Sequence, residues 1–126
     1  MKTLLILAAA LLIAGRPAAA QDTTAEKDHI ALDQALPQGA KPYNNVQLIE
    51  VTYGPGGSSA PHRHECPVVG YVVRGTFRSK SGDNPEATYT AGQTFYEAPN
   101  ALHAVSANAS KKVPVTIVVA FICNKP

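Results

Sequence analysis

The residues of this chain best suited to chemistry are two histidines two positions apart, His62 and His64, and a third far along the sequence, His103. Neutral imidazole binds first-row divalent metals well, and three imidazoles on one side of an ion leave positions open for water or a substrate. Successive side chains of an extended segment alternate between faces, so His62 and His64 share one. His103, with Val105 following in alternation, needs only an antiparallel neighbour to reach the same point. The fourth histidine, His29, has no strand context and reads as solvent-exposed. Glu97 is the candidate catalytic residue, a base or hydrogen-bond partner beside the ion. Glu65 is out of step with His64 and reads as a poor ligand. Cys66 either ligates or pairs with Cys123, and the sequence leaves both open.

The elements that must position these residues are all of one kind. Val46 to Tyr53 is rich in β-branched and aromatic residues and stops at Gly54-Pro55-Gly56-Gly57. Val68 to Arg74 and Thr76 to Ser81 flank Gly75, with Arg78 and Lys80 on one face. Gly82-Asp83-Asn84-Pro85 is a turn cluster. Glu86 to Thr90, Thr94 to Glu97, Leu102 to Ser106 and Val113 to Ile122 complete the set. Short strands at close spacing, parted by Gly, Pro and Asn, predict an all-β sandwich or barrel over residues 45–124. In the last strand Val115, Ile117, Val119 and Phe121 face one way, and Val118, Ala120 and Ile122 are apolar on the other. A strand apolar on both faces is buried on both, which calls for the lead-in or a second copy in a homodimer as cover.

Residues 1–20 read as a secretory signal peptide. Met1-Lys2 gives a positive start, Thr3 to Ala14 is almost wholly Leu, Ile and Ala, and Ala18-Ala19-Ala20 offers a cleavage site after Ala20. The apolar run is too short for a bilayer, which needs about 20 residues. Residues 21–44 form a polar arm and an irregular lead-in, with a helical turn around Ile30 to Ala35. Cleavage removes Lys2 and Arg16, so that nine basic residues face nine acidic ones. A neutral mature chain without a basic stripe argues against nucleic acid and, once the leader is gone, against a membrane partner. The expected partner is a small molecule, and the expected location is the periplasm or outside the cell, where cysteines oxidise. Asn108-Ala109-Ser110 fits a glycosylation sequon, and Ser58-Ser59 reads as a turn.

Gly56, then His62-Arg63-His64, then Gly75 resembles the first signature of the cupin superfamily, and Gly92, Pro99, His103 and Asn108 resemble the second. The likeness runs from about Val46 to Phe121, with the short spacing of small single-domain (type-2) cupins. It implies a cupin-type jelly-roll β-barrel with a short irregular N-terminal lead-in, and a divalent metal held by His62, His64 and His103. The ion implied is Fe(II) first, with Mn, Ni, Cu or Zn as alternatives. Two departures stand out. Val68 occupies the place of the family's Glu ligand, and Asn100 replaces a Gly, a change Asn tolerates because it visits positive φ. A site without that Glu suits activation of O2 with a small organic substrate, as in the thiol and diketone dioxygenases it resembles. Non-catalytic binding or sensing, and Lewis-acid isomerase or decarboxylase chemistry, are the competing readings.

Overall fold

The computed structural model describes residues 31–32, 36–37 and 43–124. The signal peptide, the polar arm, His29 and the proposed helical turn fall wholly or mostly outside the described residues. Eight strands follow: β1 (Asn45–Tyr53), β2 (His62–Arg63), β3 (Val68–Arg74), β4 (Thr76–Ser81), β5 (Ala87–Thr90), β6 (Thr94–Glu97), β7 (Leu102–Asn108) and β8 (Val115–Cys123). They form two four-stranded antiparallel sheets, ordered β1-β8-β3-β6 and β2-β7-β4-β5. The all-β jelly-roll expectation is met, and no helix occurs among the described residues. The strand missing from the sequence reading is β2. Two residues between Pro61 and His64 carry no propensity signal, and only pairing with β7 makes them a strand.

The two sheets face each other with different surfaces. The first turns Val68 and Val72 of β3, Phe95 of β6, and Val115, Ile117 and Val119 of β8 into a common core. These are the residues whose branched or aromatic side chains suit a pleated, buried surface. The second contributes Phe77 to that core but otherwise buries polar side chains: Ser79, Ser81, His103, Ser106 and Asn108. Gly70 faces the core from β3 because a Cβ there would lie 2.0 Å from a ring carbon of Phe95. Gly75, at φ +80°, makes the β3–β4 turn in a conformation other residues rarely adopt.

Two irregularities re-aim side chains. Along β7, Lys80 pairs with Val105 but the next residue, Ser81, pairs with His103, leaving Ala104 over. Such a β-bulge shifts the alternation by one residue. Val105 therefore sits opposite exposed Lys80, contrary to the simple alternation with His103, while Ser106 pairs with buried Ser79. A second shift falls between Val72 and Arg74 in β3.

The outer face of the first sheet is apolar. Val46, Leu48, Val69, Tyr71, Ala120 and Ile122 lie side by side across β1, β8 and β3, and Leu48 remains 69% exposed. Among the described residues, the lead-in reaches this sheet at its β6 edge, where Thr94 Oγ1 donates to the carbonyl of Ala31 at 2.9 Å.

Candidate metal centre

The short strand β2 and the bulged strand β7 build the site together. Their register places His62 directly opposite His103 and Arg63 opposite Leu102. Side chains so paired have Cβ atoms about 5 Å apart, and His64 follows His62 on the same side. Ring centroids are 4.7 Å apart for His62 and His64, and 5.1 Å apart for His62 and His103. One nitrogen from each of the three rings lies within 4.8 Å of the others. The structure thus brings together the three histidines the sequence singled out.

Each ring is held from outside the cluster. Nδ1 of His62 donates to the Ala60 carbonyl at 2.8 Å, which fixes its tautomer and leaves Nε2 with a free lone pair. Ser79 Oγ engages Nε2 of His103 at 2.9 Å, so Nδ1 is the nitrogen left over. That Nδ1 is buried without a hydrogen-bond partner. Glu97 Oε2 stands 3.1 Å from it, a close approach without hydrogen-bond alignment. His64 packs edge-on against Phe121, 4.8 Å between centroids. Burial and, after it, the two neighbouring imidazoles hold its pKa below the usual histidine value, against the opposing pull of Glu97. A neutral imidazole is the form a metal takes up. The open Nε2 of His62, a neutral His64 and a buried His103 Nδ1 that makes no hydrogen bond together suit a divalent ion.

Glu97 deserves its place among the candidates for a reason of register. It lies opposite Val68 across the β3–β6 pairing, and both are buried. Glu97 Oε2 also stands 3.7 Å from Nε2 of His64. Glu65 is exposed, and Cys66 is bonded to Cys123, with Cα atoms 5.1 Å apart. Neither is available as a ligand.

The loop carrying His64 is pinned from the other side as well. Asn100 adopts φ 60°, the conformation that lets Asn stand in for Gly. Its N–H donates to the His64 carbonyl at 2.6 Å, and its own carbonyl accepts from Arg63. Asn108, read as a sequon, is instead a buried staple. Its Nδ2 donates to the carbonyls of Gly54 and Val113 at 2.9 and 2.8 Å, and its Oδ1 accepts from Ser110 N–H. A glycan would replace one Nδ2 hydrogen and so cost at least one of these bonds.

A cavity of about 180 Å³ opens between the sheets, and the three histidines and Glu97 form part of its wall. Val51, Val68, Ile117, Val119, Phe95 and Phe121 line much of the rest. Tyr53, Ser59 and Ser106 add a patch of hydroxyls, with Tyr53 Oη 2.7 Å from Ser59 Oγ and 3.0 Å from Ser106 Oγ. Sequence reasoning missed this patch. Ser59 reads as part of a turn, and Ser106 faces inward only because of the bulge at Ala104.

A family model for the cupin domain matches residues 49–121. The chain belongs to the cupin family. Solved structures agree on the fold. An oxalate oxidase in complex with the substrate analogue glycolate is 25% identical, with TM-score 0.58, over 64% of this chain and 43% of that one. An RmlC-like cupin from Shewanella frigidimarina is 21% identical with TM-score 0.54, covering 64% of this chain and 68% of the other. An oxalate decarboxylase of Bacillus subtilis is 20% identical with TM-score 0.57, over 64% of this cupin and 22% of that chain. The chain thus spans less than half the length of the oxalate oxidase it resembles. Among curated proteins no sequence relative matches.

Proposed function

We propose that this cupin is an exported metal-binding protein that acts as an O2-dependent oxygenase on a small organic substrate. The observation that carries the reading is the convergence of three imidazoles and one buried carboxylate on the wall of a largely apolar cavity. His62, His64 and His103 would hold a divalent ion, Fe(II) before Mn, Ni, Cu or Zn. Bound there, the ion would supply open positions where substrate and O2 meet and exchange electrons. The Ala60 carbonyl and the Ser79 hydroxyl fix two of the rings, so little reorganisation is needed on binding. Glu97 would take the proton of an ionising substrate and pass it on to solvent, returning to its carboxylate form. The Val, Ile and Phe side chains keep water from the cavity and strengthen every charge interaction inside it.

The test is metal analysis of the purified protein followed by O2 uptake with small thiols, diketones and phenols. His62→Ala, His64→Ala and His103→Ala should each abolish stoichiometric metal, while His29→Ala should not. Equal metal in all five proteins overturns the site. Metal uptake without O2 consumption favours binding or sensing, or Lewis-acid chemistry of the isomerase or decarboxylase kind. Export draws support from the leader and from the Cys66–Cys123 bridge, which suits an oxidising compartment. Mass spectrometry should find Gln21 as the first residue of the exported protein. The exposed apolar outer face of the first sheet supports a homodimer. Sedimentation of wild type against Leu48→Asp checks this, with only the variant monomeric.

A further inference from the structure

The cavity has a charge, a size and a polar feature that together narrow what it can accept. Its ionisable wall consists of His62, His64, His103, Glu97 and Tyr53, with no lysine or arginine among the described residues. The structural neighbours named for oxalate act on a dicarboxylic acid. With a divalent ion in place, as proposed above, the ion and the Glu97 carboxylate together leave one positive charge. A monoanion neutralises it. A dicarboxylate would leave a negative charge in an apolar enclosure with no cation to pair, a costly arrangement.

Size gives the second limit. At about 180 Å³ the space resembles the apolar cavity of about 150 Å³ that accepts benzene. Phe95 and Phe121 on its wall suit a flat ring. The polar feature is the third. Tyr53, Ser59 and Ser106 carry three hydroxyl protons and make two hydrogen bonds among themselves. One proton remains to be donated, and the hydroxyls line the cavity from the β1 and β7 sides.

We infer that this cavity takes a mostly apolar molecule about one ring in size that binds as a monoanion, a phenol or enol, in preference to a dicarboxylate. In this inference Tyr53, backed by Ser59 and Ser106, recognises a second oxygen on that ligand. The inference rests on the metal reading for its charge balance, and the experiment separates the two. Zinc is loaded first and its stoichiometry measured, since zinc binds the same ligand types without redox turnover. Calorimetry without O2 then compares phenol, hydroquinone and oxalate.

Phenol and hydroquinone should bind at least about tenfold more tightly than oxalate. Tyr53→Phe, which keeps the ring, should weaken hydroquinone roughly fivefold, the worth of one hydrogen bond, and leave phenol unchanged. Should Tyr53→Phe fail to fold, Ser59→Ala asks the same question. Oxalate binding as tightly as phenol overturns the inference, and so does a Tyr53→Phe loss shared equally by phenol and hydroquinone. If zinc does not bind, the metal reading fails, and thermal melts of the metal-free protein decide the cavity on its own. Phenol should then raise the melting temperature and oxalate should not; no shift with phenol, or an equal shift with both, overturns the inference.

Discussion

The two sheets enclose one interior but divide its labour. Toward that interior β1-β8-β3-β6 turns valine, isoleucine and phenylalanine, with Glu97 as its buried charge. Apart from Phe77, β2-β7-β4-β5 buries serines, an asparagine and His103. The apolar wall removes surface from water without asking for partners. The polar wall gains little from burial, and its groups must be satisfied one by one. Ser106 meets Tyr53, Asn108 meets three backbone carbonyls, and Ser79 meets His103. Ser81 Oγ and Nδ1 of His103, both on that second wall, make no hydrogen bond, and Nδ1 faces Glu97 at 3.1 Å. Apolar stabilisation should therefore reside on the first sheet and the His62–His103 pair of the metal site on the second, with Glu97 and Tyr53 reaching the cavity from the first.

The Cys66–Cys123 bridge joins these regions, tying the loop after His64 to the end of β8 across a sequence separation of 57. A loop of that length is stabilised by about 4 kcal/mol when closed. Reduction should lower stability by an amount of that order, read from denaturant unfolding with and without reductant, and it should also weaken metal affinity through His64. A purely global effect would leave affinity of the still-folded protein unchanged. Within the apolar wall, Ile117→Ala should cost about 3 kcal/mol through lost burial and a cavity, with metal stoichiometry intact. Loss of metal in that variant would break the division between the sheets.

Val68→Glu tests the seam between them. It would set a second carboxylate opposite Glu97, so the metal-free protein should lose about 2 kcal/mol or take up a proton. The metal-loaded form should melt near wild type and bind its ion more tightly. Equal losses with and without metal would place position 68 away from the ion. The smallest effect belongs to Ser79→Ala, about 1 kcal/mol for one hydrogen bond. It should nonetheless weaken metal affinity, because the His103 ring is freed to turn.

Much of this was legible in the sequence where local chemistry decides. The strands β3, β4 and β6 are bounded as their Gly, Pro and Asn punctuation indicates, and the His62, His64 and His103 cluster follows from alternation plus one antiparallel neighbour. Asn100 at positive φ is what its place in the second cupin signature, where it replaces a Gly, implies. What could not be read depends on pairing between distant segments. Strand β2 exists only against β7, and the bulge at Ala104 arises from the register of β4 on β7. Glu97 was singled out in the sequence, but the pairing that brings it to the cluster, β6 beside β3 at Val68, was not. Asn108 satisfies the sequon pattern, but its amide is consumed by carbonyls from two other segments.

The pairing of β1 with β8 joins the first strand of the fold to the last. Contacts between such distant segments form slowly, because the loop between them must close before any bond rewards it. As the chain emerges from its N-terminus, Cys66 precedes its partner by the whole of β3 to β7. During that interval Cys66 is a free thiol next to the histidine pair. The order of synthesis therefore makes Cys123 the step that closes the bridge, and an oxidant that reaches Cys66 before β8 docks leaves the barrel complete in sequence but unlatched.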